Sequence, residues 1–323
     1  MTSTAEVAID VRGLEMSYGS HRVLHGLDLT IRRGEVVALL GPNGAGKTTT
    51  IEILEGFRAP SAGQVQVLGR TPLSADEAWR ARVGVVLQSW RDHPRWRVRE
   101  FLAHLGEFYR PYSTPDDPRP WDTDALLERV GLAEQARTQI SKLSGGQRRR
   151  LDVAVGIVGR PEVLFLDEPT AGFDPAARRD FHDLIASLAD EDVTILLTTH
   201  DLDEAEKLAD RVVILARGVI VADGSPDSLR MAASRTSEVR FERDGVIEVH
   251  ACEDPVDYLR DVLLSAGSPI SHLEVRRAGL EDAYLSLVRR SAGDCDAADA
   301  ADPADAADAG ALWLRTPDRE VAP

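Results

Sequence analysis

The segment GPNGAGKTTT, Gly41–Thr50, combines glycines with a lysine and several threonines, and it directly follows the apolar run EVVALL. Glycine backbone N–H groups can surround a phosphate, and a helix that begins at the end of such a loop adds further N–H donors. Lys47 is one of only three lysines among 38 basic residues. Its compact ammonium can contact β- and γ-phosphate oxygens, whereas the planar guanidinium of arginine would crowd the loop. The segment therefore predicts a nucleoside triphosphate site.

Gly41–Thr48, the phosphate loop, matches the pattern G-x-x-x-x-G-K-[ST], whose final hydroxyl binds Mg²⁺. A strand-like run precedes the loop and the helical TTTIEILEG follows it, which is the setting that this pattern requires. This setting argues against a chance glycine-rich turn. The expected nucleotide-binding residues here are Gly41, Pro42, Asn43, Gly44, Ala45, Gly46, Lys47, Thr48 and Thr49.

Two adjacent carboxylates follow the apolar residues of VLFLDEP. Beside a bound triphosphate, Asp167 would hold the shell of the magnesium ion and Glu168 would orient the water that attacks the γ-phosphate. Without the phosphate loop upstream, the same residues would more often mark a strand that reaches solvent. The assignment therefore depends on that loop.

The segment LSGGQ, Leu143–Gln147, ends 20 residues before Asp167 and leads into the helical RRRLDVAVGIV. We name Leu143–Gln147 the signature segment. Ser144 and the N–H groups of Gly145 and Gly146 are placed at a helix N-terminus, which favours an anion. The segment, with Gln147 as its last residue, is a second candidate phosphate site.

Both GPNGAGKTT and LSGGQ match in full and in the order found in the ATP-binding subunits of ATP-binding cassette (ABC) transporters, which residues 7–232 resemble. The resemblance implies ATP hydrolysis with Mg²⁺. It also implies an α/β P-loop NTPase fold with a mainly parallel sheet core, an antiparallel β subdomain and a helical subdomain. The short apolar runs VVALL, VLFL and TILLTT agree with parallel strands that are covered on both faces.

The same resemblance gives roles to further residues. Tyr18 of MSYG is similar to the aromatic residue that stacks on adenine, and Gln88 to the glutamine that senses Mg²⁺ and the γ-phosphate. His200, which ends TILLTTH, resembles the histidine that contacts the γ-phosphate. Asp174 of AGFDP is similar to the aspartate that communicates between paired subunits, although AGFDP departs from the family's usual SGLDP at two positions.

One copy of each motif implies that the chain works as a pair. In the family, the signature segment of one subunit closes over ATP held by the phosphate loop of the other, so the resemblance implies a homodimer that sandwiches two ATP molecules. A separately encoded integral-membrane permease is the other implied partner. The chain would lie at the cytoplasmic face of the plasma membrane, bound through that permease.

The segment SWRDHPRWRVREF after Gln88 mixes tryptophans with arginines. It could be a solvated basic face or a nucleic-acid-binding loop. The resemblance instead places it against a short cytoplasmic helix of the permease. The formal net charge of −16 argues against a general nucleic-acid-binding surface, because phosphate binding relies on basic residues.

Composition also limits the class of protein. The two cysteines, Cys252 and Cys295, are far apart and indicate neither a disulfide framework nor a zinc site. The longest apolar runs are far shorter than the roughly 20 residues of a membrane-spanning helix. The start, MTSTAEVAID, lacks the basic and apolar regions of a secretion signal. We therefore expect a chain that does not itself cross a bilayer.

Two further units follow the cassette. Residues 236–290 are expected to form a small α+β domain with strand-like EVRFE, VIEVHA and SHLEVRR, and with a helix that begins at Pro255 after a capping Asp254. Its last helix, which carries Tyr284, is expected to pack on the small sheet. The low-complexity residues 291–323 are expected to be a disordered acidic tail.

The ending LEVRRAGLEDAYLSLVRR resembles the small C-terminal domain of drug, antibiotic and polysaccharide exporter ATPases. This resemblance implies that the permease exports a drug, an antibiotic or another hydrophobic compound. An importer ATPase, and a cassette ATPase that acts away from membranes, are the alternatives.

Overall fold

The computed structural model describes residues 6–86, 94–170, 173, 175–233, 237–243, 246–252, 254–265, 270–276, 281 and 284. Within these ranges the protein has the predicted α/β fold, with a mainly parallel sheet, two separate antiparallel sheets and helices packed beside them.

Strands and helices alternate through most of the chain. The strands are β1 (Val7–Tyr18), β2 (His21–Arg32), β3 (Val36–Leu40), β4 (Ala62–Val67), β5 (Val83–Val86), β6 (Val163–Asp167), β7 (Thr194–Thr199), β8 (Arg211–Ala216), β9 (Val219–Gly224), β10 (Ser237–Arg243), β11 (Val246–Cys252) and β12 (Ile270–Arg276). The α-helices are α1 (Lys47–Leu54), α2 (Glu77–Arg80), α3 (Val98–Glu107), α4 (Thr123–Arg129), α5 (Gly145–Ile157), α6 (Pro175–Ala189), α7 (Leu202–Leu208), α8 (Pro226–Ala233) and α9 (Pro255–Ser265).

The central sheet has six strands in the order β5-β6-β7-β3-β8-β9. Neighbouring strands are parallel except for the edge strand β9, which runs antiparallel to β8. The predicted runs VVALL, VLFL and TILLTT lie in β3, β6 and β7, and every residue of these strands is buried. Their carboxyl ends meet at one edge of the sheet, where open parallel sheets bind ligands.

Side chains from β3 enter two different cores. Val36, Ala38 and Leu40 pack with helices α3 to α7, whereas Val37 and Leu39 pack with α1 and with the antiparallel sheet β2-β1-β4. Alternate side chains of a strand point to opposite faces of the sheet. Because both faces are covered, the strand is apolar without interruption.

The predicted helical subdomain lies between β5 and β6 in the chain. It contains α3, α4 and α5, which pack together against one face of the central sheet. Helix α5 begins directly after Ser144, so the signature segment forms the start of a long, partly buried helix.

The small C-terminal unit has its own antiparallel sheet, in the order β11-β10-β12. Helix α9 packs on this sheet, where Val262 contacts the core formed by Val239 and Phe241. Asp254 caps α9 as predicted, because its Oδ1 accepts a hydrogen bond from the Val256 N–H at 2.8 Å.

The side chain of Tyr284 differs from the expectation. It packs against the core that the central sheet shares with α3 to α7, rather than facing the small sheet. Burial raises the pKa of Tyr284. At Tyr284 the chain therefore contacts the cassette again. The predicted tail, residues 291–323, lies outside the described residues.

Glu55, directly after α1, carries a buried carboxyl group. Its Oε1 has no hydrogen-bond partner among the described residues. Burial raises the pKa of Glu55 to about 8, and repulsion from the carboxylates of Asp167 and Glu52 acts in the same direction. This group couples the stability of the fold to pH.

Replacing Glu55 by glutamine (Glu55→Gln) should stabilise the protein more at pH 8 than at pH 5. The folded-state pKa of about 8 lies above the ordinary value of 4.5. Between these values the folded protein binds more protons than the unfolded chain, so its free energy of unfolding falls as pH rises. Glutamine does not titrate. Urea unfolding should show the advantage of the variant grow by at least about 1 kcal/mol from pH 5 to pH 8.

Glu77→Gln is the matched control, because Glu77 is exposed and pairs with Arg80 at the surface. Its effect should change by less than about 0.5 kcal/mol between the two pH values. An equal effect of Glu55→Gln at both pH values would show that the Glu55 carboxyl is already ionised in the folded protein.

Candidate active site

The phosphate loop follows the internal strand β3 and leads directly into α1. Gly44 and Gly46 have φ angles of 80° and 106°, in the left-handed region that favours glycine. A Cβ atom on Gly46 would lie 2.5 Å from Leu24 Cδ2, and one on Gly41 would lie 2.2 Å from the carbonyl oxygen of Leu215. The path of the backbone therefore requires glycine at both positions that the sequence pattern fixes.

The side chain of Lys47 is buried against its own loop. Its Nζ donates hydrogen bonds to the carbonyl oxygens of Gly41, at 2.7 Å, and Pro42, at 3.2 Å. Burial lowers the pKa of Lys47, and attraction by the carboxylates of Glu168 and Asp167 opposes this change. A cation removed from water in this way gains strongly from an anionic partner.

The carboxylate of Asp167 lies at the carboxyl end of β6. Its Oδ1 accepts a hydrogen bond from Thr198 Oγ1 at 2.5 Å, and Thr48 Oγ1 is 3.5 Å from the same oxygen. Mg²⁺ prefers oxygen ligands and usually keeps several waters beside one or two carboxylates and phosphate oxygens. A hydroxyl and a carboxylate at the phosphate loop fit this ion.

Glu168 lies between Lys47 and His200. Its Oε1 is 3.9 Å from Lys47 Nζ and 3.3 Å from His200 Nδ1. The side chain of Glu168 is 17% exposed and that of His200 is 61% exposed. The structure thus brings the predicted lysine, carboxylates and histidine together, and it leaves the imidazole open to a ligand in solvent.

The signature segment makes a capping box at the start of α5. The Ser144 Oγ accepts a hydrogen bond from the Gln147 N–H at 3.3 Å, and Gln147 Oε1 accepts one from the Ser144 N–H at 3.0 Å. Ser144 and Gly145 are exposed, and a Cβ atom on Gly145 would meet nothing within 4 Å. Among the described residues, the hydrogen bonds of the Ser144 and Gln147 side chains stay within this segment and do not reach the phosphate loop of the same chain.

Tyr18 ends β1 and pairs with His21 of β2. It lies at the same end of this hairpin as Leu24, which packs beside Gly46 of the phosphate loop. The ring is 42% exposed, and the Arg58 guanidinium lies 5.0 Å from its centroid. The hairpin that contacts the phosphate loop through Leu24 therefore also carries an exposed aromatic ring.

Two predicted site residues, Gln88 and Asp174, lie outside the described residues. Strand β5 ends at Val86, which pairs in parallel with Leu166, so β5 ends at the same edge of the sheet as Asp167. Phe173, at one of the two positions that depart from the family pattern, packs edge-on against Phe181, with ring centroids 5.9 Å apart.

The sequence interpretation missed two buried charged side chains behind the site. Arg149 of α5 is 7% exposed, and its Nε donates to the Pro169 carbonyl oxygen at 2.7 Å. Glu204 of α7 is 1% exposed, and burial raises its pKa although hydrogen bonds with Thr199 and Thr170 lower it. Each residue has neighbours of the same charge in the sequence. Only the helical periodicity could have indicated which of these side chains faces the protein interior.

Comparison with known proteins agrees with this geometry. The family profile described as ABC transporter matches residues 24–171. The daunorubicin resistance ATP-binding protein DrrA3 of Streptomyces coeruleorubidus is 41% identical over 226 residues, which cover 70% of this chain and 71% of that protein. The Nod factor export ATP-binding protein I of Ralstonia nicotianae is 41% identical over 309 residues, which cover 88% of this chain and 95% of that protein.

A solved structure, that of an ATP-binding subunit of an ABC transporter, has a TM-score of 0.60 and 26% identity, and the match covers 70% of this chain and 92% of that chain. Sequence, structure and the geometry of the phosphate loop agree. The chain therefore belongs to the ATP-binding subunits of ABC transporters, and it is an ATPase whose hydrolysis of ATP is coupled to transport across a membrane.

Proposed function

We propose that the chain powers a separately encoded membrane permease that exports a drug, an antibiotic or another hydrophobic compound. The observation that carries its ATP-hydrolysing part is the meeting of Lys47, Asp167, Glu168 and His200 at one edge of the central sheet. The names of the two relatives, one from daunorubicin resistance and one from Nod factor export, support the outward direction.

In the proposed site, the backbone of Gly41–Thr49 surrounds the phosphates and Lys47 contacts the β- and γ-phosphate oxygens. Thr48, Asp167 and Gln88 would hold Mg²⁺, which would neutralise charge on these oxygens. The buried Lys47 ammonium supports this role, because it lies within the loop and faces the two carboxylates.

Glu168 would orient the attacking water. Its carboxylate would take a proton from that water as the water oxygen bonds to the γ-phosphorus and the bond to the β-phosphate oxygen breaks, which releases ADP and inorganic phosphate. His200 would contact the γ-phosphate from the solvent side, and its 3.3 Å contact with Glu168 would hold the carboxylate in line. Gln88 would complete the group at the end of β5. Tyr18 would stack on adenine.

Two copies of the chain would complete each site. Ser144, Gly145, Gly146 and Gln147 form a helix N-terminus, which attracts anions, and the first two of these residues are exposed. In the part of the chain that the structure describes, the side chains of Ser144 and Gln147 hydrogen-bond within this segment and do not reach the phosphate loop of their own chain. We therefore propose that they cover the γ-phosphate of ATP bound to a second copy, with Asp174 carrying contacts between the two.

Glu168→Gln should trap this dimer. Glutamine keeps the shape of the side chain but cannot accept a proton from water, so hydrolysis should slow by about a hundredfold or more while ATP binding persists. With Mg²⁺ and ATP, light scattering after size exclusion should show twice the monomer mass. Phosphate release measures the loss of turnover.

The double variant Lys47→Ala with Glu168→Gln is the control, because it lacks the ammonium that binds the phosphates. It should remain monomeric under the same conditions. A monomeric Glu168→Gln protein that still binds Mg-ATP would contradict the paired arrangement. Unchanged turnover in Lys47→Ala alone would overturn the assignment of the nucleotide site.

The described residues include no helix with the length and apolar character needed to cross a bilayer. We propose a peripheral position at the cytoplasmic face of the plasma membrane, reached through the permease. We also propose three parts: a cassette at 7–232, a small C-terminal domain at 236–290 and an acidic tail at 291–323. The match to the Nod factor export ATP-binding protein I of Ralstonia nicotianae covers 88% of this chain, which supports a C-terminal unit typical of exporters.

The docking surface that we propose for the permease is the segment after Gln88. In its described part, Trp96 packs edge-on against Phe101, with centroids 6.1 Å apart, while Arg95 and Arg97 are exposed. The aromatic residue thus anchors the segment to the helical core, and the basic side chains face outward.

Co-expression with the permease should move the chain into the membrane fraction. Arg95→Glu should reduce the amount in that fraction by about half or more, because a basic side chain at the edge of the contact steers docking. Arg12→Glu, at an exposed position on β1, is the matched control and should leave the fraction unchanged. The measurement is immunoblotting of pelleted membranes with and without the permease. Recovery in the supernatant in both cases would favour a cassette ATPase that acts away from membranes.

A further inference from the structure

The backbone of Glu168 has an unusual conformation. Its φ angle is 45°, in the left-handed region that residues with a side chain rarely adopt. Such a conformation persists only where the surrounding contacts impose it. Because the direction of the Glu168 side chain depends on this backbone angle, those contacts also determine where the carboxylate points.

Two different elements hold the backbone of Glu168. On its amide side, the N–H lies 3.0 Å from Thr198 Oγ1 and 3.2 Å from the Thr198 carbonyl oxygen. On its carbonyl side, Arg149 Nη2 lies 3.3 Å from the Glu168 oxygen and 3.4 Å from the Asp167 oxygen. Arg149 Nε also donates to the Pro169 oxygen at 2.7 Å. One guanidinium therefore contacts three consecutive carbonyl groups around this residue.

Arg149 belongs to helix α5, whose N-terminus is the signature segment. It follows Ser144 by five residues and is itself buried, so a displacement of the start of the helix would reach the guanidinium directly. Asp152 Oδ2, one turn further along, lies 3.7 Å from Arg149 Nη1. The helix and the turn after β6 are thus joined through one side chain.

We propose that Arg149 is a positioning residue that couples the signature segment to the Glu168 carboxylate of the same chain. Contact of Ser144 with an anion shifts helix α5, and Arg149 transmits this shift to the carbonyl groups that impose the Glu168 backbone angle. The proposal rests on the proposed role of Glu168 in hydrolysis. A guanidinium suits the task, because its planar set of N–H donors can contact several acceptors at once, which an ammonium cannot do in the same geometry.

Arg149→Lys tests the proposal. Lysine keeps the charge but loses the fork of donors, so kcat for ATP should fall about tenfold or more, as expected when a reacting group is misplaced. The KM for ATP should stay within about twofold of its original value. Some stability should be lost, because lysine leaves buried carbonyl groups without a donor, so kcat is measured where both proteins are folded. Arg150→Lys is the matched control, because Arg150 pairs with Asp180 and is next to Arg149 in the chain. It should leave kcat unchanged.

A double-mutant cycle with Glu168→Gln separates a positioning role from a merely structural one. If Arg149 acts through Glu168, Arg149→Lys should change the residual turnover of the Glu168→Gln protein by less than about twofold. An equal loss in both backgrounds would overturn the proposal, and so would a rise of KM in parallel with the fall of kcat. If Arg149→Lys does not fold, Arg149→Gln, which keeps one N–H donor group, is used in the same cycle.

Failure of the proposed function gives a different result. If Glu168→Gln alone leaves kcat unchanged, Glu168 is not the residue that orients water, whatever Arg149→Lys does. If Glu168→Gln lowers kcat and Arg149→Lys does not, the assignment of Glu168 stands and the coupling through Arg149 is wrong.

Discussion

A buried ammonium beside two carboxylates organises the candidate active site, at the edge where the carboxyl ends of the central strands meet. Lys47 is enclosed by its own loop, and Glu168 lies 3.9 Å from its Nζ. Removing one member of such a group leaves the other charge buried without compensation, which is costly in a protein interior. A triphosphate brings further negative charge to this edge, which the buried Lys47 ammonium and the Mg²⁺ that we propose would offset.

The register of the central sheet brings these groups together. Asp167 pairs with Thr198 across β6 and β7, so a hydrogen bond between their side chains follows from strand pairing alone. Leu40, the last residue before the phosphate loop, pairs with Thr199 of β7. Three strands that are distant in sequence thus end side by side. The residues at their ends and in the short loops that follow are therefore brought together by the sheet itself.

Much of this arrangement could be predicted from sequence, because the required residues are local. The phosphate loop needs glycine where the φ angle is positive, and buried parallel strands need uninterrupted apolar runs. Arg149 and Glu204 could not be predicted in the same way. Their importance comes from burial against distant segments, and the like charges around each residue hide the member that faces inward. The direction in which Tyr284 packs is equally a property of the folded chain, since one apolar face fits either partner.

The return of Tyr284 to the cassette has a consequence for synthesis on the ribosome. Strand β9, which completes the central sheet, ends at Gly224, and Tyr284 follows 60 residues later. Domains fold as units while the chain emerges, N-terminal parts first. The apolar surface of the cassette that Tyr284 covers must therefore stay exposed to solvent, and accessible to chaperones, until nearly all of the small C-terminal unit has left the ribosomal exit tunnel.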